Sequence, residues 1–329
     1  MFRRSLLATG VLAALLPLAA NAASTRTHVS NAGSDANTAF SCDYAHPCRT
    51  FAAALTVTTP GGEILAIDSS GYGKVTIDRS VSIIAAPGVY AGIGVGSGNG
   101  VTIATAGVDV VLRGLTITGQ GGSSGINMSA GNSLIVQDCT IRNFAPGNGL
   151  YVSAAARVRL LDSLLQGNFS GARFLSGSTV LVSGSRFIDN AISGFYAGAS
   201  GAGLNTKVEI ARSEASGNGV GFQIEALSGS RVEVNIKDSV MSRNAHGVHS
   251  YGSGSTLVAS VSGSLVSGNS TAGLFATSGA KLVAAGNAIT HNGIGMAQSL
   301  AAVLQSTGDN ILSDNATDTS GTITSLVKQ

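Results

Sequence analysis

Five residues suited to molecular recognition recur along the chain at a nearly constant interval. They are Tyr151, Arg173, Tyr196, Gln223 and His249, separated by 22, 23, 27 and 26 positions. Glu225 and Tyr251 each follow two residues after the last two of them. Aromatic faces, a guanidinium fork and planar amides are the groups that hold a saccharide or an anionic polymer. If the interval is one turn of a coil, these side chains form a vertical column that continues through Asn127 and Phe275, with Glu225 and Tyr251 beside it on one outward face. The competing reading is an ordinary solvated strand face, since Tyr and Phe also favour strands.

A second set is acidic. Glu209 and Glu233 occupy matching places in KVEIA and RVEVN. In adjacent coils two carboxylates would lie about 5 Å apart, the separation a retaining glycosidase uses, and repulsion would raise one pKa. Lys207 and Arg231 beside them favour a compensated surface patch instead. A third set, Asp138, Asp162 and Asp238, precedes Cys or Ser at turns, with Arg212 expected to pair with Asp238. Asp at such a turn commonly bonds its own backbone, and too few oxygens gather there for calcium. His28, His46, His246, His249 and His291 lack paired ligand spacing, so no metal and no cofactor is expected.

What positions these residues is a repeat. Asn143, Asn168, Asn190, Asn218, Asn244, Asn269, Asn292 and Asn315 lie 25, 22, 28, 26, 25, 23 and 23 apart, with no helical pattern between them. That is the signature of a β-solenoid. In each repeat a Gly opens a strand and an apolar residue follows, as in Gly149-Leu150 or Gly221-Phe222. That apolar position and the one two further on should face inward. A second strand reads RVRLL, TVLVS, KVEIA, RVEVN and TLVAS, stacking Val158, Val180, Val208 and Val232 as another inward column. The Asn series falls in the turns between these strands, where stacked amides can bond up and down as a ladder.

The ends and the composition set limits. MFRRSLLATGVLAALLPLAANA has a basic start, an apolar run and a small-residue site near Ala22–Ala23. It reads as a cleaved secretory signal, too short for a membrane span. Losing Arg3 and Arg4 brings the 19 basic residues level with the 17 acidic ones. The mature chain is therefore near neutral, without the basic footprint that nucleic acid requires and without a membrane-inserting segment. It contains 45 Gly and no Trp. Cys42 and Cys48 are expected to pair in an exported chain, while Cys139 reads as a core residue.

Ahead of the repeats come a strand at Thr27 to Ser30, a polar loop NAGSDANTAF, and Thr50 as N-cap of a brief helix, Phe51 to Leu55, ended by Pro60-Gly61-Gly62. Such a helix would cover the open edge of the first coil. The block HVSNAGSDAN, PCRTFAAAL, PGGEILAIDSSGYGKVTIDRSVSIIA and PGVYAGI resembles the opening module of secreted bacterial right-handed parallel β-helix proteins of the broad pectin-lyase-like superfamily. The resemblance implies that fold over most of the mature chain and brings no reaction with it. Polygalacturonases of the superfamily carry Gly-His-Gly and Arg-Ile-Lys, where this chain has Ala245-His246-Gly247 and Asn235-Ile236-Lys237. The acidic calcium cluster and paired Arg motif of pectate lyases have no counterpart.

The expected organisation is a signal peptide at 1–22, a disulfide-bearing cap at 23–60, and an all-β right-handed parallel β-helix (solenoid) at 61–329. It should have roughly ten to eleven coils and be closed by GTITSLVKQ. The expected role is an exported, secreted or periplasmic monomer that acts as a scaffold or as a surface for polysaccharide or another extended polymer. The alternative is a polysaccharide lyase, glycoside hydrolase or epimerase using Glu209 and Glu233 or the Tyr151–His249 face. A surface-displayed passenger or phage-like spike is the third reading, disfavoured because no barrel or assembly segment follows.

Overall fold

The computed structural model describes residues 23–327, and the expected signal peptide lies outside the described residues. Each repeat lays down three strands. Asn148–Val152 is followed by Arg157–Leu161, then beyond a tight corner by Leu164–Gln166, and the next repeat starts with Ser170–Phe174. The three kinds of strand stack into separate walls of 11, 13 and 11 strands, respectively. Their pairings are parallel and join each repeat to the next. The walls are called first, second and third here in that order along a repeat. Two walls of 11 strands fit the expected ten to eleven coils.

The third wall is absent from the two-strand reading of the sequence. Its strands are three residues long, and Leu164–Gln166 buries only Leu165. A single inward side chain has no alternation to display. Leu150, Val152, Leu160 and Leu165 illustrate how the walls fill one continuous core, each with 0% exposure. Below the middle coils, Phe174, Phe187, Phe195 and Phe222 pack with ring centroids 5.2 to 6.2 Å apart. Rings at that spacing add stabilisation beyond their buried area.

Two of the three corners of each coil combine a left-handed residue with a ladder residue. At the corner between the second and third walls, Asp138, Asp162, Arg212 and Asp238 have φ of 53°, 47°, 48° and 50°. Asp adopts this region more readily than most residues, which accounts for its recurrence. The next residue joins a serine ladder: Ser163 N–H donates to Ser185 Oγ, Ser185 to Ser213, and Ser213 to Ser239. Arg212 does not pair with Asp238. Its guanidinium donates to Ser183 Oγ at 2.8 Å, and Lys237 Nζ lies 3.7 Å from Asp238.

The corner between the third and first walls carries the asparagine ladder. Asn190 Nδ2 donates to Asn218 Oδ1 at 2.9 Å, and Asn218 Nδ2 to Asn244 Oδ1 at 3.0 Å. The series continues to Asn315. It begins at Asn168, not at Asn143. Asn143 occupies the left-handed position one residue earlier, with φ 65°, and Phe144 N–H donates to Asn168 Oδ1 at 3.1 Å. Asn suits both places at the corner, so spacing alone does not separate them. The ladder brings backbones close together. A Cβ on Gly149 would lie 2.6 Å from Gly171 O and 3.0 Å from Asn168 Nδ2, so the second residue of that strand has to be Gly.

Register departs from expectation at one place. Val158, Val180 and Val208 stack as predicted, but Val208 lies beside Val234, and Val232 beside Thr206. The corners decide this. Ser213 N–H reaches Ser239 Oγ and Asn218 N–H reaches Asn244 Oδ1, each 26 residues on. The likeness of KVEIA to RVEVN, an offset of 24, is overridden.

At the start, Ser24–Val29 pairs in parallel with Thr58–Ala66, so the segment expected as a cap also extends the second wall. NAGSDANTAF contains a 3-10 turn, Asp35–Phe40, and Cys42 is bonded to Cys48. Helix α1 spans Phe51–Val57, and its N-cap Thr50 accepts from Ala53 N–H at 3.1 Å. It runs directly into Thr58–Ala66, so Pro60 to Gly62 lie within a strand instead of ending the helix. At the far end Ile323–Ser325 adds one more strand beside Leu304. Cys139 is buried, its thiol pushed up to about 12 by burial.

Candidate functional site

Strand alternation sends every second side chain of the first wall outward. The inward partners Leu150, Ala172, Phe195, Phe222 and Val248 are fully buried. Between them the chain stacks Asn127, Tyr151, Arg173, Tyr196, Gln223, His249 and Phe275 as consecutive register neighbours. The column read from the sequence therefore exists, one residue per coil at about 4.8 Å. Three strands here lengthen to eight residues, Ser193–Ser200, Val220–Leu227 and His246–Ser253. That extension places Gly198, Glu225 and Tyr251 in a second outward column.

Tyr196 lies flat along its own strand. A Cβ on Gly198 would stand 2.5 Å from the Tyr196 ring, so only Gly leaves room for it. The Arg173 guanidinium sits 4.3 Å from the ring centroid, and the Tyr196 hydroxyl donates to the Glu225 carboxylate. Burial and that bond raise the Tyr196 pKa well above its usual value. The hydroxyl thus stays protonated, and Arg173, Tyr196 and Glu225 form one fixed unit.

His246, His249 and Phe275 form a second unit. Their ring centroids are 5.2, 5.5 and 5.0 Å apart and their planes lie within 30° of one another. Burial lowers the His246 pKa, and burial together with His246 lowers that of His249 to about 4. Both imidazoles are neutral at pH 7. His246 does not belong to the predicted column. Alternation from His249 sends it inward, yet its ring stacks with those of His249 and Phe275, and only its closeness to His249 in HGVHSY hinted at this. His246 Nδ1, His249 Nε2, Asn127 Oδ1 and Asn148 Oδ1 are shielded and have no hydrogen-bond partner among the described residues. The wall thus offers flat rings.

The acidic pair is not assembled. Glu209 stands beside Asn235 and Glu233 beside Lys207, because the register is set two residues away from the one that would match them. The Glu233 carboxylate is bound by Arg231. Asp138, Asp162 and Asp238 serve the corners, as their backbone angles require. Among the described residues no three His, Cys, Asp or Glu side chains gather where a metal ion could be held. No helix among them is long and apolar enough to cross a membrane.

Comparison with known proteins agrees with this architecture. No curated protein matches the chain. The A-module of the Azotobacter vinelandii mannuronan C-5 epimerase AlgE6 superposes with a TM-score of 0.55 at 11% identity, over 82% of this chain and 91% of that one. The pectate lyase Pel9A superposes with a TM-score of 0.51 at 15% identity, over 92% of this chain and 77% of that one. At such identities the likeness is one of fold. The family model described as the right-handed β-helix region matches residues 73–255. That match exceeds half of the chain, and this protein belongs to the right-handed β-helix family.

Proposed function

We propose that this protein is an exported monomer whose first wall binds an extended polysaccharide without cleaving it. The observation that carries the reading is the unbroken outward column from Tyr151 to His249, whose rung spacing suits a polymer lying along the stack. Two structural neighbours are named for acting on mannuronan and pectate, which supports a polysaccharide partner. The register, which keeps Glu209 and Glu233 from standing side by side, argues against a retaining pair of carboxylates. The Cys42–Cys48 bond suits an exported chain.

The test is retention on a panel of immobilised polysaccharides that includes mannuronan and polygalacturonate. The wild-type protein should be retarded by at least one of them. Arg173→Ala with His249→Ala should weaken that binding at least tenfold, or about 1.4 kcal/mol. Absence of retention on every polymer would remove the proposal. Release of reducing ends or unsaturated product would replace it with the lyase, hydrolase or epimerase reading.

A further inference from the structure

The second wall carries a cleft of a different character. Arg157, Thr179, Lys207 and Glu233 are register neighbours in one outward column. Arg159, Leu181, Glu209 and Asn235 are neighbours in the next. These residues line a shallow trough whose floor is the rung of Thr179 and Leu181. One side is formed by the Arg157 and Arg159 rung and the other by the Lys207 and Glu209 rung, with Glu233 and Asn235 of the next rung beyond it. Backbones two rungs apart are roughly 10 Å apart, so the long cationic side chains can close on a group seated over Thr179.

These charges are not used internally. Among the described residues no hydrogen bond or ion pair engages the side chains of Arg159, Lys207 or Glu209. Arg157 reaches only Asn132 Oδ1, at 3.4 Å. Asp109, the acid nearest Arg157, is taken by Asn132 at 2.7 Å and by Ser133. Glu233, the acid nearest Lys207, is taken by Arg231. The Arg157–Thr179–Lys207 end of the trough therefore carries two cations whose nearby acids, Asp109 and Glu233, are hydrogen-bonded to other groups. At the other end Leu181, 36% exposed, lies between a donor in Arg159 and an acceptor in Glu209.

We propose that this trough is a binding subsite for a sugar unit that carries an anionic group, a carboxylate or a sulfate. The anion sits between the Arg157 guanidinium and the Lys207 ammonium, the geometry in which charge-assisted bonds are strongest. The apolar face of the ring covers Leu181, and its hydroxyls lie between Arg159 and Glu209. The subsite is on a different wall from the Tyr151–His249 column and does not depend on it.

The experiment is calorimetric titration of the whole protein with polygalacturonate, dextran sulfate and uncharged cellohexaose at low ionic strength. Arg157→Gln with Lys207→Gln should weaken the acidic polymers at least tenfold. Lys237→Gln with Lys281→Gln, which removes the same charge from the same wall, should leave the affinity within twofold. Whichever acidic polymer shows the difference identifies the group as carboxylate or sulfate. The proposal is overturned if wild-type protein binds neither acidic polymer, if cellohexaose binds equally well, or if the two double variants lose affinity alike. Both variants leave Arg173 and His249 in place, so failure here is distinguishable from failure of the first-wall reading.

Discussion

Glu233 stands beside Lys207 across one rung of the second wall, with Glu209 displaced to the neighbouring column next to Asn235. This displacement keeps the two carboxylates from standing side by side as a retaining hydrolytic pair would. It also sets Lys207, which faces Arg157 over Thr179, beside a Glu233 whose carboxylate is held by Arg231. One register choice therefore removes one chemistry from the wall and supplies another.

That register can be tested by cross-linking. Rung neighbours lie about 4.8 Å apart, within the roughly 4.4–6.8 Å that a disulfide spans, while a diagonal pair is about 8 Å apart. Lys207→Cys with Glu233→Cys should therefore oxidise to an internal disulfide under mild conditions. Glu209→Cys with Glu233→Cys should remain reduced, as read by mass spectrometry after alkylation. The reverse outcome would restore the paired carboxylates.

The ladder should matter far more than the Asn that precedes it. Asn218 accepts from Asn190 N–H and Nδ2 and donates to Phe187 O and Asn244 Oδ1. Asn218→Ala leaves several buried groups unpaired, at about 1–3 kcal/mol each for those that water cannot reach. A loss of about 3 kcal/mol in urea unfolding is expected. Asn143→Gly, at a left-handed φ of 65°, should change stability by less than about 0.5 kcal/mol.

The His246–His249 stack makes stability depend on pH in a defined direction. The folded pKa of His249 is about 4, below the roughly 6.5 of an unfolded histidine. The unfolded chain thus binds more protons between those values, and stability falls as pH drops through that window. Above about pH 6.5 the contribution is complete, and below about pH 4 it has been lost. Because the ring is partly solvated, the loss should be on the order of 1–2 kcal/mol. Urea midpoints at neutral pH and at the acid end of the window should show the fall in wild type, and His249→Asn should flatten it. An unchanged slope in that variant would show that His249 is not the titrating group.

Much of this architecture is legible in the chain because a solenoid turns sequence separation into vertical distance. The Gly and apolar pair that opens each first-wall strand marks the register locally, so the neighbours of Tyr196 and His249 could be named without coordinates. The Asn residues announce a ladder for the same reason: a corner that must satisfy buried backbone donors selects one residue type again and again. The Cys42–Cys48 bond and the Thr50 cap are short-range features, set by residues close together in the chain.

Other features required the assembled stack. Asn143 and Asn168 look alike in sequence, yet one bends the backbone and the other joins the ladder, because two adjacent corner positions accept the same residue. His246 stacks with His249 and Phe275, although simple alternation along its strand would send it inward. The third wall was hidden because three residues are too few to show a period. The partners of Glu209 and Glu233 were decided by corner hydrogen bonds a full coil in length. Sequence determined what repeats and which side faces in. The tertiary structure decided which charges meet, because coils of unequal length are aligned by their buried corners and not by the resemblance of their exposed strands.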